Sequence, residues 1–322
     1  MQDTIPVTLL TGFLGAGKTT LLNRFLAAMR GTRIAIVENE FGAVGIDGSL
    51  VASEASAVVE LSDGCICCTV KGALSDALIS MAARRANGEL TFDRLIIETT
   101  GLADPAPIVQ VFLRDEILRG YYQLDGVITV IDALHATTQL DRERVAASQV
   151  AFADRLILTK TDALSVDDAA TLAARLARIN ARAPLEWASR LGNPKELLAI
   201  GGFMLHESGL PRRGWRPVGE RSWDDAIASV VLESDVPLPL DGISLFVDEL
   251  LADHANDLLR YKGILSIADE SRRLIFQGVH QVAGYDYGRP WEANETRTSR
   301  MVLIGRDLPV ERLRARFAAL AE

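Results

Sequence analysis

The chain has 322 residues, 48% of them hydrophobic and 24% charged, and a formal net charge of −9. That length allows a large core and two domains, while the acidic balance argues against nucleic acid as a partner, since phosphate backbones require clustered Lys and Arg. With no run of about 20 apolar residues, no basic leader and Asp3 near the start, neither a membrane span nor a signal peptide is expected, and a cytoplasmic location is.

The first predicted strand, Ile5 to Thr11, runs into Gly12-Phe13-Leu14-Gly15-Ala16-Gly17-Lys18-Thr19, and helical apolar spacing follows from Thr20. Strand, glycine-rich turn and helix form the context of a phosphate-binding P-loop. Gly12, Gly15 and Gly17 permit backbone conformations in which successive N–H groups face one anion, with Ala16 and Thr20 in the same cradle. The helix adds its positive end, Lys18 reaches the outer phosphates, and the Thr19 hydroxyl suits Mg²⁺. A turn that merely capped a helix would need neither the lysine nor the threonine.

A second buried strand is expected at Arg33 to Val37. The segment after it, Glu38-Asn39-Glu40-Phe41-Gly42 through Asp47 and Gly48, has the polarity and position of a switch loop beside the nucleotide. Ala57 to Leu61 reads as a short strand leading to Gly64-Cys65-Ile66-Cys67-Cys68, at the start of a helix from about Thr69 to Arg85. All three cysteines of the chain lie in those four positions, which marks metal or thiol chemistry rather than a disulfide framework. Cys-x-Cys-Cys does not by itself wrap a tetrahedral ion, and topology offers Glu38 or Glu40 as the further ligand.

Arg94 to Ile97 is a strand ending in Glu98-Thr99-Thr100-Gly101, an acid placed where NTPases sense the γ-phosphate and organise Mg²⁺ or water. Another strand covers Asp125 to Asp132, and a mixed helical segment runs from about Leu140 to Val150. The strand beginning at Asp154 ends in Thr159-Lys160-Thr161-Asp162, one residue away from the guanine-reading N-K-x-D pattern. The aspartate accepts from guanine N1–H and N2–H₂, a pairing adenine does not offer. A helix from Val166 to Asn180 and a strand from Leu185 to Ala188 complete this part. A linker rich in Gly, Pro and Arg follows.

The C-terminal part is expected to be a smaller α/β unit. Its strands are Ile227 to Leu232, Tyr261 to Ile267, Arg273 to Val279 and Met301 to Gly305, with helices at Leu240 to Ala252 and Val310 to Leu320. It shows no catalytic signature, and His280 and Trp291 read as packing residues. The expected organisation is therefore a P-loop NTPase domain with a mainly parallel sheet over 1–202, a linker over 203–225 and the smaller unit over 226–322.

Together these motifs resemble the CobW-type GTPases, relatives of the HypB and UreG nickel-delivery GTPases, and are most similar to the YjiA branch. Tyr261-Lys262-Gly263, Phe276-Gln277-Gly278-Val279-His280 and Val302-Leu303-Ile304-Gly305-Arg306 resemble the C-terminal domain of that family. The resemblance implies a GTPase, slow without a partner, that binds zinc or a similar transition metal such as Co²⁺ or Ni²⁺ and serves metal delivery or homeostasis. It implies Lys18 and Glu98 as catalytic residues, with Lys18 and Thr19 on phosphate and Mg²⁺ and Glu98 in the γ-phosphate-sensing turn with Gly101. Thr159, Lys160 and Asp162 fall at the base, Asp47 near Mg²⁺, and Cys67 and Cys68 with Glu38 on the metal, beside Cys65. Expected partners are a client metalloprotein and a nucleotide-dependent second copy. The four histidines are scattered, so a histidine-rich metal store is not expected. Two other readings are a metal-responsive regulator switched by nucleotide with little turnover, and a thiol redox switch.

Overall fold

In the computed structural model, which describes residues 4–29, 31–39, 57–60, 70–203 and 227–321, the N-terminal apolar runs form one parallel sheet. Its strands are β1 (Ile5–Thr11), β2 (Ile34–Asn39), β3 (Ala57–Glu60), β4 (Arg94–Thr99), β5 (Tyr122–Asp132), β6 (Arg155–Thr159) and β7 (Leu185–Trp187). They lie in the order β3-β2-β4-β1-β5-β6-β7, and every pairing is parallel. Strands covered on both faces must be apolar throughout, which is why β1, β4 and β5 read as near-continuous hydrophobic runs. The chain leaves β1 toward β2 on one side and leaves β5 toward β6 on the other. The crevice above their carboxyl ends is therefore the topological switch point, where ligands of such sheets bind.

The helices along this part of the chain are α1 (Lys18–Ala28), α2 (Val70–Ala86), α3 (Ala106–Arg114), α4 (Glu116–Tyr121), α5 (Ala136–Arg142), α6 (Arg144–Phe152), α7 (Val166–Ile179, of which 174–179 group with the second unit) and α8 (Pro194–Leu198). One core joins Leu21, Leu22, Phe25 and Leu26 of α1 to Leu10, Ile36, Ile96 and Ile128 of the sheet. Where a mixed helical segment was expected, the structure has two helices, α5 and α6, broken at Glu143 in extended backbone.

A polar clamp ties the amino end of the sheet. Asp125 accepts from Arg94 Nη1 at 3.1 Å and from the Gly201 N–H at 2.8 Å, and Arg94 also reaches Thr8 Oγ1 at 3.0 Å. The ion pair is nearly buried on both sides, so each charge depends on the other.

The second unit comprises, among the described residues, 174–182 and 227–321. Its sheet has the order β11-β10-β9-β12-β8, from β8 (Ile227–Ser234), β9 (Leu258–Ser266), β10 (Arg272–Val279), β11 (Val282–Pro290) and β12 (Ser299–Arg306). All pairs are antiparallel. Helices α9 (Leu240–His254) and α10 (Val310–Ala318) bury Phe246 against Phe317, with centroids 5.5 Å apart, over one face of that sheet. Trp291 is a packing residue, with Arg273 4.5 Å above its ring. Of the linker expected over 203–225, all but residue 203 lies outside the described residues. No helix among the described residues is long and apolar enough to cross a membrane.

Candidate functional site

The loop between β1 and α1 depends on its glycines. Gly12 has φ 141°, and a Cβ there would sit 2.2 Å from the Val130 carbonyl oxygen of β5. Gly15 and Gly17 also take positive φ, 73° and 94°. The Ala16 N–H donates to Phe13 O at 3.1 Å, closing the turn, and α1 begins without a side-chain cap. Its first N–H groups thus present the positive end of a helix dipole with no capping acceptor, an arrangement suited to an anion.

Lys18 folds over this loop, its Nζ donating to Gly12 O at 3.0 Å. Thr19 Oγ1 donates to Glu98 Oε1 at 2.9 Å, so a hydroxyl from the start of α1 meets a carboxylate from the end of β4. Such hard oxygens fit Mg²⁺, which takes one or two protein ligands and completes its shell with phosphates and water. Thr20 is exposed at the start of α1.

Glu98 has a neighbour that strand order alone reveals. β2 pairs with β4, and Glu38 is the Cα partner of Glu98, with Glu60 of β3 next in the same register. Adjacent strands lie about 4.8 Å apart, and partners across a parallel pair face the same side. Glu38 and Glu98 are both buried, 6% and 9% exposed. The acid expected to hold metal and the acid expected to serve the nucleotide therefore rise side by side.

The turn after Glu98 is held from two directions. Gly101 backs onto the P-loop so closely that a Cβ would lie 2.5 Å from the Leu14 nitrogen. From the other side Gln149 of α6, 1% exposed, donates through Nε2 to Gly101 O at 3.2 Å and Ala103 O at 3.1 Å. Ser148 adds a bond to Asp104 Oδ1 at 3.0 Å. The sequence reading missed these three side chains, because nothing local links α6 to a turn some 45 residues earlier.

At the end of β6 the threonine in the Thr-Lys-x-Asp pattern has a structural task. Thr159 Oγ1 donates to Ala16 O at 2.7 Å, tying the expected base-reading segment to the phosphate loop. Lys160 sits at φ 54° with Nζ donating to Asp132 Oδ2 at 2.7 Å. His135 Nδ1 lies 2.8 Å from the same oxygen. Burial pushes the Asp132 carboxyl up, but the Lys160 and His135 hydrogen bonds outweigh it and hold it below its ordinary value. The stability this carboxylate contributes is therefore present above the ordinary carboxylate range and lost as pH falls through the lowered value. An acid ending a buried strand was the one sequence signal for Asp132. Asp162 stands exposed on the 3₁₀ turn Thr161–Ala163.

The structure thus brings together Gly12, Gly15, Ala16, Gly17, Lys18, Thr19, Glu98 and Gly101, with Thr159 bonded to the same loop and Glu38 beside Glu98. Asp47, Cys65, Cys67 and Cys68 lie outside the described residues, as does Glu40. Among the described residues no group of three or more His, Cys, Asp or Glu side chains is placed to hold a metal.

Comparison with known proteins covers nearly the whole chain. Residues 6–186 match the family described as CobW/HypB/UreG, nucleotide-binding domain, and residues 227–321 match the cobalamin synthesis protein cobW C-terminal domain. The chain is 46% identical to the zinc chaperone YjiA of Escherichia coli (strain K12), covering 99% of each protein. It is 37% identical to the zinc chaperone CobW of Pseudomonas aeruginosa, covering 94% of this chain and 88% of that one. The crystal structure of Zn(II)-bound YjiA GTPase from E. coli superposes with a TM-score of 0.82 at 40% identity, covering 100% of both chains.

Proposed function

The chain belongs to the CobW/HypB/UreG family, and on that premise we propose that it is a Mg²⁺-dependent GTPase that binds zinc, or a similar transition metal, and couples GTP hydrolysis to its delivery to a client metalloprotein. One observation carries the coupling: Thr19 of the P-loop helix bonds Glu98, and Glu38 is the register partner of Glu98 on the next strand.

The division of labour follows from the geometry. Backbone N–H groups of 12–18 and the start of α1 receive the phosphates, and Lys18 neutralises charge on the outer ones. Thr19 and Glu98 are the residues that would hold Mg²⁺, which would supply positive charge beside the phosphates. Gly101, clamped between Leu14 and Gln149, allows the backbone of the sensing turn to approach the γ-phosphate. Asp162 reads the guanine edge, while Asp132 fixes the Lys160 side chain at the side of the pocket. Desolvated, preformed contacts of this kind are what lower the barrier in phosphoryl transfer.

Zinc is cargo in this scheme. Thiolates of Cys67 and Cys68 with the buried Glu38 carboxylate make a soft and borderline donor set that suits Zn²⁺. Replacing both cysteines by serine removes the soft ligands at little steric cost, so Zn²⁺ affinity should fall by about a hundredfold or more in competitive titration with a chromophoric chelator. Zinc binding that survives the double change at full affinity would locate the site elsewhere. Glu38→Gln should cause a smaller loss, since it keeps one oxygen donor and removes the charge.

A further inference from the structure

Residues 98–104 run from the end of β4 toward α3, and most of their polar side chains have protein partners. Glu98 accepts from Thr19 at 2.9 Å, Thr99 Oγ1 donates to Thr11 Oγ1 at 2.8 Å, and Asp104 accepts from Ser148 at 3.0 Å. Thr100 is the exception. Its Oγ1 is buried and, among the described residues, has no hydrogen-bond partner. A buried hydroxyl without a partner is costly, and in a native structure such an atom calls for a ligand.

The backbone around it is held, so rotation of the Thr100 side chain is what would carry the hydroxyl to a ligand. Gln149 holds the carbonyls of Gly101 and Ala103, and Gly101 is pressed against the Leu14 backbone. Thr100 lies two residues beyond Glu98, which reaches Thr19, and directly before the glycine that abuts the P-loop.

We propose that Thr100 is a further catalytic residue whose hydroxyl contacts the terminal phosphoryl group of the bound triphosphate. The proposal rests on the GTPase reading above. In hydrolysis the oxygen of water bonds to the γ-phosphorus while the bond from that phosphorus to the β–γ bridging oxygen breaks. GDP leaves with the electron pair, and the proton of the water passes to the released phosphate. Thr100 Oγ1–H donates to an equatorial γ-oxygen, where negative charge is spread in the transition state. GDP has no such oxygen, so the same contact separates triphosphate from diphosphate.

Thr100→Val keeps the shape of the side chain and removes the hydroxyl, whereas Thr100→Ser keeps the hydroxyl. Thr100→Ala, smaller on every side, serves as a second hydroxyl-free variant if valine is not accommodated. On the full chain with Mg²⁺, Kd is measured for GDP and for a non-hydrolysable GTP analogue, with kcat and KM for GTP. The hydroxyl-free variants should bind the analogue about fivefold or more weakly and turn over about tenfold or more slowly, with GDP affinity held within about twofold. Serine should restore both. Wild-type kcat together with a wild-type ratio of analogue to GDP affinity in the hydroxyl-free variants overturns the proposal. A loss that serine shares also overturns it, since retaining the hydroxyl then fails to retain function. Wild-type protein that neither binds nor hydrolyses GTP would fail the GTPase reading, and the proposal with it.

Discussion

Lys18→Ala should lower GTP turnover by about 1,000-fold or more, since preformed charge on a transferring phosphoryl group in a desolvated site contributes on that scale. The fold should survive the change. The turn closed by Ala16 N–H to Phe13 O does not involve the lysine side chain, and the buried face of α1 is made by Leu21, Leu22, Phe25 and Leu26. Thermal unfolding close to that of the unchanged protein, alongside the lost turnover, is the expected pair of results. Retained hydrolysis in a folded variant would remove Lys18 from the phosphate site.

Asp162→Asn should move base preference from GTP to XTP. In the proposed role the carboxylate accepts two N–H groups of guanine, and the amide that replaces it would donate to O2 of xanthine instead. Sites built around such pairings reject the mismatched base by several orders of magnitude, so the ratio of kcat/KM for GTP over XTP should fall by about 1,000-fold or more. The Lys160–Asp132 hydrogen bond does not involve Asp162, so the effect should be confined to the base edge. An unchanged KM for GTP would show that Asp162 does not read the base.

What the sequence disclosed and what it concealed divide along physical lines. The P-loop was legible because its chemistry is local: strand, three glycines at positive φ and a helix start lie within a few residues. The strands of the parallel sheet were legible too, β1, β4 and β5 because burial on both faces leaves continuous apolar runs. The strand β11 was not. Val282 to Pro290 carries Gly284, Asp286, Gly288 and a terminal Pro290, a composition that an edge strand tolerates and that reads as loop. Its hairpin turns through His280 at φ 50°, a position where Asn or Gly would have been the usual signal.

Within the site, the concealed features are all long-range. Glu38 meets Glu98 because β4 inserts between β1 and β2, a strand order that no local pattern encodes. Gln149 and Ser148 reach the sensing turn from a helix that follows β5. Thr159 weakened the guanine signal in the sequence, and the structure supplies the reason for a hydroxyl there: it bonds Ala16 O of the P-loop.

The register of Glu38 with Glu98 makes communication between zinc and nucleotide the central claim. Glu38 and Glu98 are buried acids on adjacent strands, so a cation at either one changes the field at the other. Glu98 in turn holds the Thr19 hydroxyl of the proposed nucleotide site. Ligands that act on one shared element alter each other's affinity reciprocally, typically by about 1–3 kcal/mol. The direct test is a pair of competitive Zn²⁺ titrations on the intact protein with Mg²⁺, one saturated with a non-hydrolysable GTP analogue and one with GDP. The expected result is a difference in Zn²⁺ affinity of at least about fivefold between the two states, reduced in Glu38→Gln while nucleotide affinity is largely kept. Equal Zn²⁺ affinities in both states would contradict the coupling and leave a GTPase that carries an independent metal site.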